Sequence, residues 1–325
     1  MNFLLLVVCL AVAVAAYEPI LTNYHEKVGI PEAARIKRAE EAIDFDGSRI
    51  VGGNLVGVGA HPHLVSAGVI VTLTTNQQSY CGSSLLTNNR VLTAAHCWMS
   101  RSQSGTNQGR SAVVVLGSAN LWSGGTRVTS TNVQMHASYN MNNLNNDIAI
   151  IVIPWVNFNS KYNNINRVVI ATGSNSYAEL FRCTVPVTVT MNCAIRNVAL
   201  QVITDTACAS TYTYGTSVAN SVVICTSTFG GRGVCFGDAG GPLTYSSGDS
   251  LRLVRILPIF IVGLNVVLNM ILIFTVFSNG CDRGLPAGFT RVTSFTSWIK
   301  AHLNIITLSA ISFSNLMLLI LIIYY

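Results

Sequence analysis

Three short strings decide how this sequence reads: Thr93-Ala94-Ala95-His96-Cys97, Asn146-Asp147-Ile148-Ala149 and Gly237-Asp238-Ala239-Gly240-Gly241-Pro242. Each is bland alone. A single histidine such as His96 is usually structural, Asp147 could cap the turn before an apolar run, and residues 237–242 could be only a tight glycine loop. Their order gives them weight, because they follow Arg49-Ile50-Val51-Gly52-Gly53. There a basic residue precedes an apolar one in a polar stretch, so residues 49–50 read as a proteolytic processing site.

Around these strings the chain reads as strands. Residues 63–73, 112–116, 147–153 and 198–203 are rich in β-branched side chains and are separated by Gly, Asn and Ser clusters. Ten asparagines between residues 140 and 166 mark loops on both sides of the apolar run at 148–153. One amphipathic helix is expected late in the chain. Phe295, Trp298, Ile299 and His302 or Leu303 fall on one of its faces, with Ser294 as its cap. Many short strands and one terminal helix predict an all-β barrel architecture.

The ends have a different character. Residues 1–16 are an apolar run with Val14 and Ala16 at the positions of a cleavage site, so they read as a signal peptide. That places the mature chain in an oxidising compartment, where cysteines are first read as disulfides. Residues 17–49 carry seven acids and five bases and little to build a core, and they read as a propeptide. Residues 305–325 form an apolar tail without charges, long enough for a membrane anchor.

Composition excludes disorder as the general state. Half of the 325 residues are hydrophobic and only 10% are charged, against about 25% in ordinary soluble domains. From residue 50 onward there are 14 bases against 6 acids, and 12 of those bases are Arg, which stays charged in an alkaline milieu. No basic cluster or basic-aromatic stripe is present, so nucleic-acid binding is not expected. His61-Pro62-His63 is unaccompanied by further ligands, and no metal or cofactor is implied.

Taken together, the three strings and the Ile50 string resemble the chymotrypsin/trypsin family of serine proteases over residues 50–304, most closely its insect midgut chymotrypsin-like branch. The resemblance implies two six-stranded antiparallel barrels and a C-terminal helix. It makes His96 the general base and Asp147 the carboxylate that fixes its tautomer. The backbone N–H groups of Gly237 and Ala239 become the oxyanion donors. Asp238 would pair with the α-amino group of Ile50 once the chain is cut after Arg49. Gly233, with Ala287 nearby, would line an uncharged specificity pocket for large apolar or aromatic side chains. The implied bridges are Cys81–Cys97, Cys208–Cys225 and Cys235–Cys281, while Cys183 and Cys193 have no counterpart in the family.

The sequence departs from the family at three places. Ala239 stands where the family has its nucleophilic Ser. A methyl group cannot attack a carbonyl, and losing the nucleophile of a serine protease costs about 10⁶ in turnover. Residues 179–195 lack the family's Gly-Trp-Gly-type strand, and the apolar residues 254–274 read as an insertion the fold does not need. The expected protein is therefore secreted and extracellular, as in a gut lumen, and non-catalytic. Its cleft would take polypeptide ligands or protease inhibitors. Two other readings use the same residues: an active digestive endopeptidase with Ser at 239, and a binding module tethered to membrane by residues 305–325.

Overall fold

A computed structural model describes residues 21–42, 54–56, 68–118, 120–157, 182–187, 195–210, 222–229, 233–234, 238–245, 270–274 and 286–303. Nine strands make the first half: β2 (Gly68–Leu73), β3 (Gln78–Cys81), β4 (Ser84–Thr87), β5 (Arg90–Thr93), β6 (Met99–Ser102), β7 (Gly105–Leu116), β8 (Thr126–Ser130), β9 (Val133–Met135) and β10 (Ala149–Val152). They pair antiparallel in two sheets, with β7 running between β2, β6 and β8, and with β10 between β5 and β9. The second half is one seven-stranded sheet. It holds β1 (Asn54–Val56), β11 (Arg182–Val187), β12 (Ile195–Ile203), β13 (Val223–Ser227), β14 (Pro242–Tyr245), β15 (Met270–Phe274) and β16 (Ala287–Thr290). The extra pairing of β12 with β13 bends this sheet back on itself. The chain is thus all-β in two barrel-like halves, with a short helix at the C-terminal end.

Alternation along each strand explains the cores. Val69, Val71 and Leu73 of β2 point into the first half with Leu85, Val91, Val114 and Leu116. The second core joins Ile224, Leu243, Phe289 and Ile299 to Leu92 and Ile150 from the first half, so the halves share a seam.

Four sequence expectations change. Residues 17–49 were expected to contribute little packing, yet helix α1 (Ile30–Ala42), entered through a π-helical turn at His25–Gly29, lies on the first half. Tyr24, Val28, Ala33 and Ile36 recur at helical spacing and are buried in spite of their polar neighbours. Ala33 and Ile36 cover the outer face of β2 and β3, where Ile70 and Tyr80 would otherwise meet water, while Tyr24 and Val28 join the shared core. Second, the stretch 179–195 does contain a strand, since β11 pairs with β12 from Arg182↔Gln201 to Val187↔Arg196. Third, the end of 254–274 is no dispensable insertion. Strand β15 sits between β14 and β16, in register Pro242↔Ile273 and Phe274↔Phe289, and an apolar run suits such a central position. Finally, Ser294 does not cap the terminal helix. A 3₁₀ turn at Val292–Phe295 precedes α3 (Thr296–His302), whose N-cap residue is Phe295. The Thr296 hydroxyl donates to the Thr293 carbonyl at 2.9 Å. The C-terminal end of α3 is held by Arg90, whose Nε donates to the His302 carbonyl at 2.8 Å, a cation on the negative pole of the helix.

Two of the implied bridges are present. Cys81–Cys97 closes the loop that carries His96, and Cys208–Cys225 ties helix α2 (Asp205–Ala209) to β13. Cys235, Cys281 and Cys193 lie outside the described residues, and Cys183 is in β11. Residues 1–16 and 305–325 are likewise outside, and among the described residues no helix is long and apolar enough to cross a membrane.

Phe289, between β13 and β15, is the largest fully buried side chain of the shared core. Phe289→Ala should lower stability by about 3–5 kcal/mol in urea unfolding, because the cavity cannot collapse between paired strands. A loss under about 1 kcal/mol would contradict this packing.

Candidate active site

His96 sits in a 3₁₀ turn (Ala95–Cys97) directly after β5, and Asp147 comes just before β10. Because β5 and β10 are neighbours in one sheet, with Ala149↔Thr93 in register, the two side chains leave the same end of the sheet. The asparagine loop completes the delivery. Asn146 adopts φ 55°, a left-handed conformation that Asn tolerates, and its side-chain amide donates to the Ser138 carbonyl at 2.9 Å. Asn140 and Asn143 turn the preceding chain through side-chain bonds to the N–H groups of Asn142 and Asn145.

The result is a tight pair. The His96 Nδ1–H donates to Asp147 Oδ2 at 2.6 Å, and the His96 backbone N–H donates to Oδ1 at 2.8 Å. The carboxylate is fully buried, so both contacts are needed to offset its desolvation. Thr290 of β16 donates to the Asp147 carbonyl at 3.0 Å, pinning the loop from the second half. With Nδ1 committed, Nε2 is the free end of the imidazole. Among the described residues it has no hydrogen-bond partner.

Residues 238–241 form the facing turn. Gly82 donates its N–H to the Ala239 carbonyl at 2.6 Å, and Gly241 donates to the Asp238 carbonyl at 3.0 Å. Gly240 needs its φ of 82°, and a Cβ there would come within 2.5 Å of Thr93 Oγ1. Ala239 is fully buried and belongs to the same apolar cluster as Cys81, Cys97 and Ala287. Asp238 is buried beneath the turn.

Tyr24 and His25, which the sequence reading passed over, lie against this site. The Tyr24 ring meets the His96 ring edge-to-face at 4.6 Å between centroids, and its hydroxyl donates to the Tyr80 carbonyl at 2.8 Å. Burial first, then the Tyr80, Glu32 and Asp238 charges, push its phenol well above the ordinary tyrosine range. His25 is fully buried with Nδ1 2.7 Å from Ser79 Oγ. Their only sequence signal is the helical spacing from Tyr24 through Ile36 within a charged segment. Tyr139, whose hydroxyl donates to the Met99 carbonyl, is raised by burial and then by the Asp147 charge.

The chain has known counterparts. The trypsin family profile matches residues 50–299. The chain belongs to the trypsin family. It is 32% identical to a collagenase of Hypoderma lineatum over 273 residues, covering 79% of this chain and 88% of the relative. Serine protease 1 of Drosophila melanogaster is 30% identical over 71% of this chain and 78% of its own length, and brachyurin of Leptuca pugilator is 29% identical over 70% and 88%. The solved structure of HL collagenase superposes with a TM-score of 0.61 at 29% identity, covering 79% of this chain and 99% of that one.

Within this trypsin-family chain the remaining expected site residues divide as follows. Gly233 is buried against Thr228, and Ala287 is fully buried in β16 opposite Thr226. Gly237, Arg49 and Ile50, and the His61-Pro62-His63 string, lie outside the described residues. Cys81, His96 and Cys97 offer ligand atoms within 4.8 Å of one another, but the two sulfurs are bonded to each other and provide no thiolate for a metal.

His25 gives the N-terminal segment an acid sensitivity. Burial first, then the nearby His96 charge, lower it from 6.5 to about 3, against an opposing hydrogen bond with the Trp98 backbone. The groups facing it are His96, Tyr24, Ser79 and Ser100. The docked state therefore binds fewer protons than the undocked one between pH 6.5 and about 3, so docking strengthens as pH rises through that window. Hydrogen exchange of residues 21–42 should accelerate on going from about pH 7.5 to about pH 4.5, after correction for intrinsic rates, by a margin worth roughly 2–3 kcal/mol. The His25→Phe variant should lose most of that dependence. A corrected rate that does not change with pH would contradict the buried neutral imidazole.

Proposed function

We propose that this chain is a secreted protease homologue of the chymotrypsin-like branch found in insect midgut, one that keeps the cleft and has lost acyl-enzyme chemistry. The observation that carries this reading is Ala239, fully buried in one cluster with Cys97 of the His96 loop. Acyl transfer needs an oxygen that gives its proton to Nε2 and attacks the carbonyl. Here Nε2 has no such donor among the described residues, and a methyl group occupies the turn. The family's hydrolytic parts otherwise remain: the His96–Asp147 pair, and a glycine turn whose N–H groups at Gly237 and Ala239 would stabilise an oxyanion.

A cleft without a nucleophile still binds. The uncharged Gly233 and Ala287 fit ligands with large apolar side chains, so the partners are polypeptides or protease inhibitors. Cutting after Arg49 would free the Ile50 amine to pair with the buried Asp238, which orders the site as in a zymogen. The intact relay favours one second reading, an active endopeptidase carrying Ser at 239.

The test is turnover of an aromatic peptide ester by protein freed of residues 1–49 by limited digestion. The parent chain should stay at background, and Ala239→Ser should raise the rate by at least about 10³-fold. A parent rate within about tenfold of the Ser variant would overturn the proposal.

A further inference from the structure

The segment preceding the predicted cleavage point does more than lead into it. Tyr24 packs its ring on His96, and with it in place His96 is only 2% exposed. Tyr24 and Val28 share one apolar cluster with Ala239, Cys81 and Cys97, so they fill the space beside the relay that a ligand's backbone has to enter. The approach is close. A Cβ on Gly29 would lie 2.9 Å from the Tyr24 ring and would collide with Ser79 Oγ.

Helix α1 anchors this plug. Ala33 and Ile36 are 1% and 2% exposed against Ile70, Tyr80, Val115 and Leu121. The outer face of β2 and β3 is thus apolar at Ile70 and Tyr80, where an uncovered barrel face would be polar, and Gly68–Val71 are buried on both sides. At the far end Glu40 accepts the backbone N–H groups of Leu121 at 2.5 Å and Trp122 at 3.0 Å. At the near end Arg101 donates its N–H to the Thr22 carbonyl at 3.1 Å. Contacts therefore run along the whole segment, and none of them depends on the peptide bond after Arg49.

We propose that residues 21–42 are a resident ligand of the first barrel, which stays docked after the chain is cut at Arg49 and keeps polypeptides away from His96 until it is displaced. This rests on the reading of the His96 face as the ligand cleft. It adds a helix-binding surface, made by Ile70, Tyr80, Val115 and Leu121, that nothing in the hydrolytic machinery requires. The partner fitting that surface is an amphipathic helix preceded by a Tyr-His pair.

The experiment uses the full chain with a specific protease site placed within residues 43–48. After cutting, gel filtration with mass spectrometry at neutral pH reads whether the fragment travels with the body. Carbethoxylation reads access to His96, with the more open His136 and His302 as internal references. The fragment should co-elute, and His96 should react at least about tenfold more slowly than in Ile36→Asp, where a charge forced into the apolar seam releases the helix. Glu40→Ala, which touches no core, should speed fragment release while His136 and His302 keep their reactivity. Elution of the fragment alone from the cut parent would overturn the proposal. So would equal His96 reactivity in the parent and in the variants that release the fragment. None of these readouts involves residue 239. An Ala239→Ser variant that gains no turnover even in the Ile36→Asp background, where the fragment is released, would defeat the functional reading, while a protected His96 in the cut parent would leave this one standing.

Discussion

The bond between His96 and Asp147 is the constraint on which the rest of the molecule is organised. A carboxylate with no exposure to water is tolerable only when its oxygens are matched by donors, and here the imidazole and backbone N–H of one residue supply both. That requirement fixes the two strand ends, the asparagine turn between β9 and β10, and the position of the Cys81–Cys97 bridge. It also ties the halves together, because Thr290 reaches across from the second sheet to the same loop.

The turn at residues 238–241 keeps its shape without help from the side chain at 239. Its shape comes from the Gly82–Ala239 hydrogen bond and the left-handed Gly240, and neither involves the side chain at 239. A methyl group in that buried, mainly apolar setting leaves no polar atom to satisfy, whereas a hydroxyl would need a partner. Stability therefore places little demand on the missing oxygen, while catalysis depends on it entirely. On the proposed reading, fold and activity come apart at this one position, while the buried His96–Asp147 pair keeps its hydrogen bonds.

Much of this was legible in the residues. His96 and Asp147 could be named because their local strings are short, fixed in order and specific, and the two observed disulfides because the family resemblance implies them. The late helix was visible from the spacing of Phe295 and Ile299, but its cap was not, because a 3₁₀ turn and a true N-cap look alike in sequence. The docked N-terminal segment was missed for a compositional reason: the seven acids and five bases of residues 17–49 mask the four apolar positions that matter. The complementary clue lay in β2, whose consecutive apolar residues Val69, Ile70 and Val71 call for cover on both faces. Strand β15 was hidden differently. A run of about twenty apolar residues carries no period that separates a central strand from an insertion, and only its pairing with β14 and β16 decides.

The central claim is that the site has its relay and no nucleophile. Its most direct measurement is mass spectrometry of the peptide spanning residues 238–242 after the native protein, freed of its N-terminal segment, meets an excess of fluorophosphonate. The account predicts an unmodified peptide whose mass contains Ala at 239. A phosphonylated peptide, with the added mass on residue 239, would contradict it.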